Sequence, residues 1–262
     1  MSEWWDRQIQ RADQLASQAN GSRELLTFYA HLLRAQKEIH EFLRSRKGWL
    51  PSGELEMDLA VLSEALPPFL KVIELHGPAP LAAEAHDLSG TDVQDLADRL
   101  MTYWNTSSDI QFFEKAILQP YLRWLVETGA RPVGRNTSLG ERNCPYCGGH
   151  PQVSFLQNKE TTAESGNRDL ICATCLSSWQ FRRVVCANCG EERPTKLGYF
   201  HSPKFDHVRI EACNTCQHYL KGVDLTRLGF AAPIVDEIDA APLDLWAREH
   251  GYTKIELNLV GV

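Results

Sequence analysis

Every cysteine in this chain falls between residues 144 and 216, and each belongs to a Cys-x-x-Cys pair: Cys144/Cys147, Cys172/Cys175, Cys186/Cys189 and Cys213/Cys216. Such a turn, a knuckle, points two sulfurs at one ion, and two knuckles complete a tetrahedron with bonds of about 2.3 Å for zinc. Eight thiols with none left over prescribe two four-sulfur metal sites. Disulfides would need an oxidising compartment, and nothing else in the sequence points to one. Gly148 and Gly190 follow the first and third knuckles, where the chain must reverse with φ > 0. Leu176 and Gln217 stand at the equivalent places of the second and fourth, so those two are expected to close differently.

The spacing also groups the knuckles. Cys144 to Cys186 is 42 positions, as is Cys147 to Cys189; Cys172 to Cys213 is 41, as is Cys175 to Cys216. Arg168 and Arg209 each lie four residues before the later knuckle of a unit, and Trp179 and Leu220 each lie four after its last cysteine. This reads as a metal ribbon of about 42 residues duplicated in tandem. It assigns Cys144, Cys147, Cys172 and Cys175 to one ion and Cys186, Cys189, Cys213 and Cys216 to the other. A cross-braced arrangement, first knuckle with third and second with fourth, stays open at this point, as does a local pairing of Cys175 with Cys186. A closed four-cysteine site leaves no position for substrate, so a purely structural role is its ordinary use.

Charge argues against one common use of metal ribbons. The chain is 262 residues long with a net charge of −7, spread as −5 over residues 1–143, +1 over 144–224 and −3 over 225–262. A nucleic-acid module shows a basic face to neutralise phosphates. Arg182, Arg183, Arg193, Lys196, Lys204 and Arg209 are the residues available for one, and a mixed solvated surface is the simpler reading. The opening MSEWWDRQIQ lacks a basic stretch leading into an apolar run, so no signal peptide is expected. No segment approaches the ~18 apolar residues of a membrane span. With thiols in metal spacing, a reduced, cytoplasmic protein is expected.

The expected fold is α+β: an N-terminal α-helical domain over 1–135, a first rubredoxin-like or zinc-ribbon module over 136–184, and a second over 185–262 that ends in a C-terminal helix. Helical periodicity covers Trp5 to Gln18 (stopped by Asn20-Gly21) and Arg23 to Arg44. The second of these carries a stripe of Leu25, Phe28, Tyr29, Leu32, Leu33, Ile39, Phe42 and Leu43, with Asn20 or Ser22 as its cap. The period resumes over Glu54 to Leu75 with an interruption at Pro67-Pro68. A short helix over Leu81 to His86 follows, then Asp92 to Trp104 capped by Thr91, then Ile110 to Glu127 kinked near Pro120. Gly129 to Arg142 reads as a hinge. Strands are expected at Val153–Leu156, Asp169–Ile171, Ser178–Val185, Leu197–Phe200 and Val208–Ala212, with a polar hairpin tip at Asn158 to Asn167. After Gly222-Val223-Asp224 a connector leads to a helix from Asp239 to His250, and Thr253 to Leu259 is a candidate final strand.

No Gly-rich phosphate loop appears, and no catalytic residues are assigned. His150, His201, His207 and His218 lie near the knuckles, but ribbon histidines are ordinarily surface or supporting groups. Tyr219 and Lys221 are explained equally well by core, surface or partner roles.

These residues resemble a known family, the formate dehydrogenase accessory protein FdhE. The resemblance is carried by Cys144-Pro-Tyr-Cys-Gly, and by Cys172-Ala-Thr-Cys followed by Trp179, Arg183 and Cys186-Ala-Asn-Cys-Gly. Glu211-Ala-Cys213-Asn-Thr-Cys216 running into Tyr219-Leu220-Lys221 completes it. Two flanks agree: Phe112 to Leu125 with Gln119-Pro120-Tyr121-Leu122, and Leu245-Trp246 to Gly251-Tyr252 ending near Asn258-Leu259. The resemblance implies a cytoplasmic assembly factor rather than an enzyme. Its partner would be the molybdenum-containing catalytic subunit of a respiratory formate dehydrogenase, bound before export. It implies two rubredoxin-like sites that favour iron, with zinc as the other fitting ion, the eight cysteines as their ligands, and a metal-linked homodimer. No membrane or nucleic-acid partner is implied. The other classes the residues admit are a rubredoxin-like electron-transfer protein and a nucleic-acid-binding zinc ribbon. A four-thiolate set takes either metal, and iron alone would make the sites redox-active.

Overall fold

The computed structural model describes residues 2–18, 21–106, 111–134, 140–157 and 167–262. The chain divides into two compact units, Met1–Thr137 and Ser138–Val262. Several sequence expectations lie outside the described residues: Asn20 as stop or cap, Ile110 as a helix start, the middle of the hinge at 135–139, and the hairpin tip at 158–166.

The first unit is helical: α1 (Ser2–Ser17), α2 (Arg23–Ser45), α3 (Leu55–Ser63), α4 (Leu66–His76), α5 (Ala79–Ser89), α6 (Val93–Asn105) and α7 (Phe112–Glu127). Helix α2 is its spine and packs against α1, α4 and α7. Leu26, Phe28, Tyr29, Leu32, Leu33, Ile39 and Leu43 are buried along it, while Leu25 and Phe42 of the expected stripe are only half-buried at its margin. Ser22 stands at its N-cap but makes no side-chain capping bond.

Three expected boundaries move. The helical run over Glu54 to Leu75 is interrupted directly ahead of Pro67-Pro68, which stand in the first turn of α4, and Pro80 stands in the first turn of α5, which runs longer than expected. A first-turn proline has no N–H to lose. The cap of α6 is Asp92, whose carboxylate accepts from Gln94 N, while the Thr91 hydroxyl donates to Asp87 O of α5. Pro120 lies inside α7, where it cannot donate to the carbonyl of Ala116. Gln36, buried on α2, supplies the missing donor: its Nε2 lies 2.8 Å from Ala116 O and 2.9 Å from Gln119 Oε1.

The second unit is a mixed seven-stranded sheet. Its strands are β1 (Pro151–Gln157), β2 (Asn167–Cys172), β3 (Ser178–Phe181), β4 (Leu197–His201), β5 (Val208–Cys213), β6 (His218–Asp224) and β7 (Thr253–Lys254). The order is β3-β2-β1-β6-β5-β4, with β7 also on β6. Strands β1 to β3 and β4 to β6 are two antiparallel meanders, one per ribbon. They join where β1 runs parallel to β6, Val153 opposite Lys221 through Leu156 opposite Asp224. The ribbons therefore follow head to tail within one sheet.

Strand β6 lies where no strand is expected, ahead of the connector, and Lys221 and Gly222 interrupt its apolar pattern. Both have tertiary reasons. Lys221 is fully buried against Asp244 and Glu237 O, and a Cβ on Gly222 would lie 2.5 Å from Glu211 Oε1 and 2.9 Å from Ser154 Oγ. Strand β3 stops at Phe181, short of Val185, and the carbonyls of Arg182 and Val185 both accept from the Arg168 guanidinium, at 3.1 Å. Strand β7 is two residues long because β1 already holds the rest of that edge of β6. The expected last helix is α9 (Ala241–Glu249), and the expected connector carries a further helix, α8 (Pro233–Asp239); the two are separated at Ala240, with a proline in the first turn of each.

Candidate metal centres

The four knuckles close alike. The residue after each second cysteine donates its N–H to the carbonyl of the first: Gly148 to Cys144 (2.8 Å), Leu176 to Cys172 (3.2 Å), Gly190 to Cys186 (3.0 Å) and Gln217 to Cys213 (2.9 Å). All four have positive φ, 73° at Gly148, 81° at Gly190, and 58° at both Leu176 and Gln217. The expectation that Leu176 and Gln217 force another closure is corrected. The left-handed conformation costs a non-glycine residue about 1–2 kcal/mol, and the turn imposes it regardless.

The cysteines gather into two clusters, Cys144, Cys147, Cys172, Cys175 and Cys186, Cys189, Cys213, Cys216, with the sulfurs of each within 4.8 Å of one another. This is the tandem grouping; the cross-braced and local pairings do not occur. Nearest sulfurs are Cys144–Cys175 at 3.6 Å, Cys147–Cys172 at 3.5 Å, and Cys186–Cys216 and Cys189–Cys213 at 3.7 Å. A tetrahedron with bonds of about 2.3 Å has sulfur–sulfur edges of about 3.8 Å, whereas a disulfide is about 2.05 Å. The clusters thus have the dimensions of tetrathiolate metal sites. Backbone N–H groups support the thiolates: Thr174 N lies 3.3 Å from Cys172 Sγ, and Asn188 N and Cys189 N each lie 3.4 Å from Cys186 Sγ.

Electrostatics makes the same demand. Contact with Cys144, then its other sulfur neighbours and burial, pushes the Cys147 thiol up; burial, then Cys144, does so for Cys175, while contact with Cys147 and the other sulfurs holds Cys144 down. Burial raises Cys186 and Cys189 too. Four packed sulfurs cannot all ionise without a cation among them, and each cluster can hold one ion.

The clusters differ in access. All four sulfurs of the first are buried, and a Cβ at Gly149 would press on Cys172 Sγ at 2.8 Å. In the second, Cys189 is exposed and Cys216 half-buried. Among the described residues no histidine joins either cluster. His207 Nε2 pairs with Asp236 at 2.9 Å, His218 Nδ1 lies 2.7 Å from Cys216 O, and His150 and His201 are exposed.

The repeat-marking residues form the frame behind the clusters. Arg168 and Arg209 converge on one carboxylate, Glu211, from Nη2 atoms at 2.6 and 2.7 Å. Trp179 and Leu220 are buried. Tyr219 and Lys221 face inward and share Asp244, with the Tyr219 hydroxyl 2.7 Å from Oδ1. Glu237 takes Lys254 at 2.6 Å and Gln152 at 2.6 Å. Sequence reasoning did not single out Glu237 or Asp244, since no local pattern marks an acid whose partner is a lysine in a distant strand. Of the six basic residues considered for a nucleic-acid patch, Arg182, Arg193 and Arg209 are paired with acids.

Comparison with known proteins follows the same division. Residues 143–183 match the profile of "FdhE, central domain" and residues 184–260 that of "FdhE, C-terminal domain". A protein FdhE homolog of Aquifex aeolicus is 31% identical over 258 residues, covering 92% of this chain and 89% of the relative. One of Haemophilus ducreyi is 26% identical, covering 97% and 88%. The crystal structure of the FdhE protein from Pseudomonas aeruginosa has a similar fold, with a TM-score of 0.72 at 22% identity over 100% of this chain and 97% of that one.

Proposed function

Since this chain belongs to the FdhE family, we propose that it is an accessory protein in formate dehydrogenase assembly that binds the immature catalytic subunit and is not itself an enzyme. The observation that carries this reading is the pair of tetrathiolate-sized clusters in a chain related to FdhE over nearly its whole length. The eight cysteines are the proposed ligands of two metal ions, Cys144, Cys147, Cys172 and Cys175 for one and Cys186, Cys189, Cys213 and Cys216 for the other. The proposed division of labour is a helical domain over 1–135 and metal modules over 136–184 and 185–262. A reducing cytoplasm is the compartment that keeps such thiols available to metal. When bound, iron adds one-electron redox chemistry, while zinc holds the fold and is redox-inert.

The test is isolation from the native host under nitrogen, with the co-purifying proteins identified and the metals counted. The catalytic subunit of formate dehydrogenase should accompany the chain with about two metal ions per chain, the number four-thiolate coordination requires. Repeated failure to recover any formate dehydrogenase subunit refutes the reading. A second reading, rubredoxin-like electron transfer, is favoured by the exposed Cys189 of the second cluster. It requires iron with thiolate charge-transfer absorption, and zinc in both sites eliminates it.

A further inference from the structure

We infer that the outer edge of β4 docks an extended polypeptide segment in which acidic residues alternate with apolar ones. Strand β4 ends the sheet: it pairs with β5 on one side, and among the described residues no strand lies beyond it. Asn214 N donates to Lys196 O at 2.8 Å, which fixes the phase of the ladder. Gly198 and Phe200 therefore turn their N–H and C=O towards β5, and Tyr199 and His201 turn theirs outward. A row of outward backbone donors and acceptors is a template for one more strand.

The two faces of β4 select alternate side chains of such a strand, because successive residues of a strand point to opposite faces. One face carries Phe200, half-buried, with its ring 4.6 Å from Trp246 and 6.4 Å from Tyr252. Gly198 leaves that face to the ring, since a Cβ there would lie 2.7 Å from it. An apolar residue of a neighbouring strand would rest on Phe200. The other face carries Tyr199 and His201, both exposed. Arg209 lies over the Tyr199 ring at 4.9 Å, and the Tyr199 hydroxyl is 3.5 Å from Arg183 O. The charges acting on Tyr199 are those of Arg168, Arg183 and Arg209 against the one carboxylate of Glu211. Those acting on His201 are Arg209 and Arg227 against Asp224. Four guanidiniums against two carboxylates make this face cationic, in a chain of net charge −7.

Charge selects the occupant. Lys196 and Lys204, both exposed, stand just before and shortly after β4. A second copy laid antiparallel along the same edge would bring the Lys196 end of one strand to the Lys204 end of the other, like charge against like. A basic segment meets the same repulsion. An acidic strand is attracted at both ends and along the Tyr199 face, while its alternate apolar residues lie on the Phe200 face. That the edge takes such a strand follows from β4 itself; that the strand belongs to a protein under assembly rests on the accessory reading above.

The test is calorimetric titration of the metal-loaded full chain with a blocked heptapeptide of alternating glutamate and valine. The comparison peptides hold lysine for glutamate, or are N-methylated at the glutamates or at the valines. The glutamate peptide should bind one to one, and the lysine peptide should bind at least about tenfold more weakly. One methylated form should lose binding and the other keep it, because a strand offers every second N–H to its neighbour. His201→Pro removes an outward N–H without touching a bond to β5, and should weaken the glutamate peptide about tenfold. Lys196→Glu combined with Lys204→Glu, at exposed positions, should weaken it several-fold. No binding, equal affinity for the glutamate and lysine peptides, the same response to both methylations, or indifference to the paired lysine change overturns the inference. So does a dimer in sedimentation that His201→Pro dissociates, since the edge would then belong to a second copy. The titration contains no formate dehydrogenase, so its failure would leave the co-purification test untouched.

Discussion

Glu211→Gln tests how the two ribbons are held together. The carboxylate accepts from Arg168 Nη2 at 2.6 Å and Ser154 Oγ at 3.0 Å on one oxygen, and from Arg209 Nε at 3.0 Å and Nη2 at 2.7 Å on the other. Arg168 and Ser154 come from the first ribbon, Arg209 and Glu211 from the second. The Arg168 and Glu211 side chains are 3% and 6% exposed, so water screens the pair little. An amide would remove the charge, present an N–H to a guanidinium, and leave Arg168 buried without its counter-ion. Removing one partner of a buried pair costs about 3–5 kcal/mol. Arg209 is 18% exposed, so Arg209→Met should cost less, about 1–2 kcal/mol. Combining Glu211→Gln with Arg168→Met removes both charges, and its cost should fall short of the sum of the single costs by at least about 2 kcal/mol. The assay is urea unfolding of the metal-loaded protein, with metal release followed in parallel, since Cys213 lies two residues from Glu211. A loss under about 1 kcal/mol for Glu211→Gln, or additive behaviour of the double variant, would show that this ion pair does not join the ribbons.

Three further outcomes are expected. Gln217→Gly relieves a left-handed residue that is exposed, whereas Leu176→Gly also uncovers a buried side chain. The two should therefore differ by about 2 kcal/mol in favour of Gln217→Gly, and equal losses in denaturation would contradict the role given to burial. Gln36→Ala should destabilise the helical unit by about 2–4 kcal/mol through loss of the bonds to Ala116 O and Gln119. Adding Pro120→Ala restores an N–H to Ala116 O and should recover about 1 kcal/mol or more in a double-mutant cycle; no recovery would separate Gln36 from the proline. A competing chelator should draw metal in two phases, the faster from the cluster with exposed Cys189. Cys189→Ser should remove the fast phase and Cys175→Ser the slow one, and a single phase in the unaltered protein would mean that access does not govern release.

The amino-acid sequence alone determined the features written in short-range pattern. Knuckle spacing specifies four thiol turns, the offsets of 42 and 41 positions specify a tandem pair, and helical periodicity marks the first half of the chain. These are local because a knuckle and an amphipathic helix are each built from residues within a few positions of one another. Tertiary structure decided whatever depends on a distant partner. Lys221 reads equally as a core, surface or partner-binding residue until Asp244 and Glu237 O meet it, and only then is His218–Asp224 a buried strand where the two ribbons join. Leu176 and Gln217 take a backbone that their own side chains disfavour, because the closed turn around the sulfurs outweighs about 1–2 kcal/mol of local strain. Pro120 stays within a helix because Gln36, eighty-four positions earlier, replaces the hydrogen bond it cannot make. In each case a burial or pairing energy from across the fold exceeds the local preference, and local sequence pattern carries no record of that partner.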